Sequence, residues 1–265
     1  MSSSKGTALI TGASSGIGAL YADRLAHRGH DLILVARDEQ RLADLAGKLE
    51  GAAGIAVKIV KADLVEPEDL HRVVQILNED PSITVLVNNA GIASTGTLLE
   101  SDPDQLERMI ALNITAVTRL GGAAAQAFAA RKAGTIINIG SVTSLIPERF
   151  NGVYSGTKAF VLNYTQALQV ELKPHGVRVQ AVLPGATRTE IWERAGRAIE
   201  SIPAEMLMDA DEMVDAALAG LDQGEPVTIP SLPDTADWDG FTAARFKLAP
   251  NLSRNQAAAR YKKGA

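Results

Sequence analysis

The sequence predicts an α/β fold in which a parallel, doubly wound sheet is covered by helices. Three observations carry that expectation. Short apolar runs alternate with helical patterns along most of the chain, several runs are apolar on successive residues rather than alternate ones, and a glycine-rich turn joins the first run to the first helix. Strands apolar on both faces suit a parallel sheet buried on both sides.

The elements follow in order. "TALIT" is the first strand and residues 16–28 the first helix; "DLILVA" precedes a helix over 38–50, and "IAVKIV" one over 66–79. "ITVLVNNAG" is the fourth strand, and a long helix is expected from Pro103 to Lys132. Then come the strand "GTIINIG", a helix from Tyr154 to Leu172, the strand "VRVQAVLPG", an irregular stretch over 186–209, a helix to Leu221 and the strand "PVTIP". No repeat or disordered linker interrupts this series, so residues 1–265 read as a single domain with a substrate loop at 187–209 and a C-terminal extension at 231–265. A chain of 265 residues is long enough to bury a large core.

Composition narrows the chemistry. The chain has no cysteine, which excludes disulfides, thiolate metal sites and thiol nucleophiles. Its four histidines, His27, His30, His71 and His175, lack metal-ligand spacing, and no metal is expected. A net charge of −5 without a basic block argues against nucleic acid. The sequence contains no long charge-free apolar run, so no membrane partner is expected, and the opening "MSSSKGTALITG" has no signal-peptide pattern, which favours a cytoplasmic protein. Small molecules are the expected partners.

The turn "TGASSGIG", Thr11 to Gly18, follows the first strand and opens the first helix. Glycines there let the backbone approach a phosphate, and the helix N-terminus directs free N–H groups and a positive dipole end at it. Ligands of doubly wound sheets bind at the carboxyl ends of the strands. A second feature is "YSGTK": a helix places Tyr154 and Lys158 one turn apart on one face, although such a pair also occurs on ordinary helices.

The glycine spacing G-x-x-x-G-x-G, together with the Tyr-x-x-x-Lys pair, resembles the short-chain dehydrogenase/reductase family from about Lys5 to about Pro230. The resemblance implies a Rossmann-type, NAD(P)-binding oxidoreductase. It assigns Gly12, Ser14, Ser15, Gly16, Ile17 and Gly18 to the cofactor phosphates. The family's selecting residue at the end of the second strand is here Ala36, followed by Arg37. A guanidinium pairs with a 2′-phosphate that a carboxylate would repel, so NADP(H) is expected in preference to NAD(H). Asp63 and Leu64 are implied near the adenine, and Asn89, Ala90 and Gly91 of "NNAG" along the ribose. Pro184, Gly185, Thr187 and Thr189 of "PGATRT" are implied near the nicotinamide.

The same resemblance implies a reacting group. Tyr154 is the proton donor or acceptor, Lys158 stabilises its ionised form and holds the nicotinamide ribose, Ser141 bonds the substrate oxygen, and Asn113 contributes its backbone to a proton relay. The family commonly has a second serine before the reacting one; here that place is Gly140. The substrate region is expected over 187–209 and between Ser141 and Tyr154, with Thr143 and Trp192 as candidate contacts and Glu148 and Arg149 at the rim. "IWERAG" is read as a lid helix.

The expected reaction is hydride transfer between the nicotinamide and a carbonyl compound or secondary alcohol. A homo-oligomer, tetramer or dimer, is implied through the long helices, to which the Ala-rich Gly121–Ala130 face lends itself. Two alternatives remain open at this level: a non-catalytic NADP-binding redox sensor, and an isomerase or dehydratase on the same fold.

Overall fold

Strands rich in Val, Ile and Leu pair in parallel because their connections are helical and each strand must re-enter the sheet in the same direction. The computed structural model describes residues 5–262. Strands β1 (Thr7–Thr11), β2 (Asp31–Ala36), β3 (Val57–Lys61), β4 (Ile83–Asn88), β5 (Gly134–Ile139) and β6 (Val177–Val182) join a short β9 (Val227–Thr228) in one parallel sheet. Its order is β3-β2-β1-β4-β5-β6-β9. The order reverses between β1 and β4, which opens the crevice where a doubly wound sheet takes its ligand.

Alternate residues of each strand feed separate cores. Ala8 and Ile10 of β1 pack toward α1 (Gly16–His27), α2 (Glu39–Ala53) and α8 (Ala210–Gln223); Leu9 packs toward α3 (Pro67–Glu79), α5 (Val117–Arg131) and α6 (Gly152–Leu172). Both cores are apolar, and Ala8, Leu9 and Ile10 are fully buried. This two-sided burial explains the continuous apolar runs.

The long helix expected from Pro103 to Lys132 is broken. It runs as α4 (Pro103–Ile110), a π-helical turn (Ala111–Ala116) and α5. The π turn holds Asn113, and wider turns of this kind recur at functional sites. The stretch 186–209 contains a two-stranded ribbon of β7 (Thr187–Arg188) and β8 (Met208–Asp209), with a single helical turn, α7 (Ile191–Arg194), between them. α6 begins at Gly152, two residues ahead of Tyr154.

The chain divides after Pro230 into two compact units. The sheet and helices α1 to α8 belong to the first. The second corresponds to the C-terminal extension and contains α9 (Thr235–Phe246) and α10 (Ala249–Leu252). Asp234 caps α9 by accepting from the Ala236 N–H at 2.8 Å, and the rings of Trp238 and Phe241 lie 5.5 Å apart. Among the described residues no helix is long and apolar enough to cross a membrane.

Candidate active site

The carboxyl end of β1 is tied to that of β4 before any ligand is considered. The Thr11 hydroxyl accepts from the N–H groups of Asn89 and Ala90, both at 3.0 Å, and the Asn89 amide donates to the carbonyls of Thr11 and Gly12 at 2.9 and 3.2 Å. The glycine turn then has little freedom. Gly12 and Gly16 have φ of 66° and 52°, and a Cβ on Gly18 would stand 2.3 Å from the Gly12 carbonyl oxygen. The backbone is therefore held open at the start of α1. Ser15, the residue preceding α1, makes no capping bond with its side chain, so the first-turn N–H groups face the crevice without an internal acceptor.

That turn lines a groove of about 560 Å³. Gly12, Ser14, Ser15, Gly16 and Ile17 form its floor, Arg37 and Asp38 the end of β2, Asp63 and Leu64 the end of β3, and Asn89, Ala90 and Gly91 the end of β4. Thr189 leans over the turn, its methyl 3.2 Å from where a Cβ on Gly16 would lie. The structure thus brings most of the expected cofactor residues to one groove. Gly18 lies under it, inside α1, as a packing glycine.

The groove is rich in guanidinium groups. Arg37 is exposed and reaches Asp63 only at 3.9 Å, while Arg108 of α4 bonds the Asp63 carboxylate closely. Asp38 caps α2, its Oδ1 accepting from the Arg41 N–H at 3.0 Å, and it lines the groove beside Arg37. Arg41 bonds both carboxylate oxygens of Glu190, at 3.0 and 2.8 Å, and Glu190 also meets Arg194. Those partners, Arg41 first, hold the Glu190 carboxyl below its ordinary range. Sequence reading missed Arg41, Arg108, Glu190 and Arg194. The Arg41–Glu190 contact joins residues 149 positions apart, and no local pattern announces it.

The second cluster lies around α6. Asn151 caps the helix, its side-chain oxygen accepting from the N–H groups of Val153 and Tyr154 at 3.0 and 3.1 Å, while its amide donates to the Gly96 carbonyl at 2.6 Å. Tyr154 therefore stands in a first turn whose geometry is fixed. Tyr154 is half-buried; burial pushes its phenol up to about 12, and a hydrogen bond with Ser141 pulls the other way. Lys158 is buried, its Nζ 5.8 Å from the Tyr154 ring centroid and donating to the Ile139 carbonyl at 3.0 Å. Burial lowers this ammonium to about 8.

Asn113 faces the same place from the π turn. Its amide donates to the Ile92 carbonyl at 2.9 Å and to the Thr157 hydroxyl at 3.1 Å, and its oxygen accepts from the Ile92 N–H at 3.0 Å. A Cβ on Gly91 would stand 3.1 Å from that oxygen and 3.6 Å from the Lys158 nitrogen, so "NNAG" lies directly beside the Asn113 and Lys158 side chains. Gly140 also has a packing reason. A Cβ there would meet the end of the Leu183 side chain at 2.6 Å, so a serine would require that side chain to move.

On the far side of Ser141 the picture is less closed. Ser141 accepts from the Thr143 N–H at 3.2 Å, and the buried Thr143 hydroxyl has no partner in the structure. Trp192 donates its indole N–H to the Thr187 carbonyl at 2.8 Å, which braces the corner between β7 and α7. The lid expected from "IWERAG" is only the single turn α7. Pro184 accepts from the Val142 N–H at 3.0 Å, linking the end of β6 to the Ser141 turn, and Thr187 bonds the Gly185 carbonyl. Glu148 is exposed, and the Arg149 side chain lies outside the described residues.

Comparison with known proteins agrees with this geometry. The family model described as short chain dehydrogenase matches residues 6–200. A short-chain dehydrogenase from Sphingobium yanoikuyae, solved in complex with NADPH, is 51% identical, with a TM-score of 0.94 over 97% of this chain and 100% of that one. An alcohol dehydrogenase from Comamonas testosteroni described as bulky-bulky ketone specific is 44% identical, with a TM-score of 0.89 over 97% and 98% of the two chains. An uncharacterized oxidoreductase of Staphylococcus saprophyticus is 32% identical over 84% of this chain and 93% of its own length.

Proposed function

Because the chain belongs to the short-chain dehydrogenase family and is an oxidoreductase, we propose that it interconverts a ketone and its secondary alcohol with NADP(H), Tyr154 transferring the proton. The observation that carries this reading is the convergence of Ser141, Tyr154, Lys158 and Asn113, with Gly91, which lines the groove, directly beside Asn113 and Lys158. When bound, the dinucleotide supplies or accepts the hydride.

The chain's own residues account for the rest. A phenol at about 12 is protonated at neutral pH, so Tyr154 is set to donate to a carbonyl oxygen that gains negative charge during reduction. Ser141 holds the phenol by a hydrogen bond and presents its hydroxyl on the same side, and the unpartnered Thr143 hydroxyl offers a further contact for the substrate. Lys158, at about 8, is mostly an ammonium at pH 7 and favours developing negative charge on Tyr154. Asn113 fixes Thr157 and the segment after β4, which keeps α6 and the groove in register.

Cofactor choice follows from charge. The end of β2 presents the exposed Arg37, which meets Asp63 only at 3.9 Å, while Arg41 and Arg194 are paired with Glu190; Arg37 is the guanidinium that suits a ribose carrying a 2′-phosphate. The resemblance to an NADPH complex supports the same choice. The Comamonas relative's described specificity supports a ketone flanked by two bulky groups as the substrate class. The direct test is NADPH consumption over a panel of ketones graded by the bulk on each side. Turnover that rises with bulk on both sides supports the reading; a preference for aldehydes or small methyl ketones would oppose the substrate class. Arg37→Ala should reduce discrimination between NADPH and NADH in a binding titration, and an unchanged ratio would remove the role given to Arg37.

A further inference from the structure

A second cavity, of about 470 Å³, lies at the end of the sheet opposite the glycine-turn groove, where the strands begin. Its floor is set by register. Val85, Thr135 and Arg178 stand side by side across β4, β5 and β6, and Arg178, two residues before Gln180 and four before Val182, faces the side of the sheet that carries α1 and α8. Leu25 of α1 and Leu221 of α8, both buried, form the inner wall, and the buried Thr135 adds a polar residue to the floor.

Charge distinguishes this cavity from the rest of the molecule. The chain has a net charge of −5, yet Lys5, Arg28, Lys132 and Arg178 line the cavity against a single carboxylate, Asp222. That carboxylate is already engaged, since Arg28 bonds both of its oxygens, at 2.9 and 2.8 Å. Lys5, Lys132 and Arg178 are exposed, and among the described residues none of their side chains has a hydrogen-bond or ion-pair partner. His30 stands with them, its Nδ1 donating to the Gly6 carbonyl at 3.2 Å; burial first, then the fields of Lys5 and Arg28, hold it below its ordinary range.

Helix dipoles explain part of this cluster. Arg28 and Lys132 are the C-caps of α1 and α5, where a cation meets the last carbonyls favourably, but Lys5 and Arg178 lie at strand starts and gain nothing from a dipole. Lys132 also takes a conformation that usually belongs to glycine. Its φ of 57° and ψ of 30° make it the only left-handed non-glycine residue among the described residues. A glycine would end α5 with less strain, so the side chain, and not the backbone, accounts for a lysine there.

We propose that this cavity is a second ligand site, which binds a small molecule carrying two or more phosphate groups, held by Lys5, Lys132 and Arg178 with His30 beside them. The lysines supply point charges and Arg178 a forked donor pair, both of which phosphate oxygens accept. A volume of about 470 Å³ lies within the range of small-molecule pockets. The site is separate from the glycine turn and stands whatever that turn binds.

Inorganic pyrophosphate is the probe, titrated into the full chain at constant ionic strength while the histidines are followed by nuclear magnetic resonance. The glycine turn also attracts phosphate, so the readout is taken at the cavity itself. Pyrophosphate should raise the pKa of His30 and leave that of His71, on α3 across the sheet, unchanged. Lys132→Glu and Arg178→Glu should each weaken the affinity read at His30 by about tenfold or more, as an attraction becomes a repulsion. Lys48→Glu, on α2 and outside the cavity, should not. Lys132→Gly should weaken binding yet melt no lower than wild type, because it relieves the left-handed strain. Circular dichroism checks the fold of each variant. A His30 that does not respond to pyrophosphate, or a loss in Lys48→Glu as large as in the cavity variants, would overturn the proposal. So would a response to long-chain polyphosphate with none to pyrophosphate, which would assign the cavity to an extended polyanion.

Discussion

Lys158 is a cation that the fold buries with a backbone carbonyl, and no carboxylate, as its polar partner among the described residues. Its charged form is disfavoured in the folded state, from 10.5 to about 8, so stability should rise as pH increases through the window from about 8 to 10.5. Tyr154 acts in the opposite sense, since its folded value is raised from 10.0 to about 12 and stability should fall as pH rises through that interval. Lys158→Met should therefore raise the melting temperature at pH 7 while removing turnover. One pKa unit corresponds to about 1.4 kcal/mol, which puts the gain on the order of 3–4 kcal/mol before subtracting the lost bond to Ile139. A variant that is both less stable and inactive would mean the ammonium stabilises the fold. The pH profile offers a second check: ketone reduction should decline above about pH 8 as Lys158 loses its charge, with Tyr154 still protonated. At this scale the candidate reacting residues Ser141, Tyr154 and Lys158 came from the family resemblance, since a tyrosine and a lysine one helical turn apart also occur on ordinary helices, and the fold then sets them side by side. Glu190 and Arg41 were not legible, because only the fold brings them together.

Between the residues and the reaction stand the element ends. Asn151 fixes the first turn of α6, and Asn151→Ala should cost about 1 kcal/mol of stability and lower kcat through Tyr154, with dinucleotide affinity little changed. Stability measured by denaturant alongside steady-state kinetics would check this, and a loss in cofactor affinity with kcat intact would contradict it. Gly18→Ala should cost about 1–3 kcal/mol by forcing a methyl against the Gly12 carbonyl, and should weaken dinucleotide binding because the turn must move. Thermal melts with and without NADPH measure both effects. The strands and most helices were readable because burial on two faces writes itself as unbroken apolar runs. The π turn was not, since one wide turn barely alters a helical pattern and "ALNIT" reads as helix. The stretch 186–209 was unreadable for another reason: its two-residue strands and single helical turn are stabilised by contacts such as Trp192 to Thr187 and not by periodicity.

For the molecule as a whole, the sheet order determines the function that can be built on it. The reversal between β1 and β4 sets the groove, and successive strand ends bring the residues proposed for phosphate, ribose and proton transfer to the same side of the sheet. The central claim is that this groove and the Tyr154 cluster together perform NADP(H)-linked carbonyl chemistry. It is tested most directly by following NADPH consumption by wild type and Tyr154→Phe with the same bulky ketones, after confirming by titration that both bind NADPH. Wild type should turn over, and the variant should bind NADPH normally yet lose about 10²–10⁴-fold in rate, the range associated with removing a positioned acid. A variant as fast as wild type, or a wild type that binds NADPH and reduces no ketone, would contradict the account.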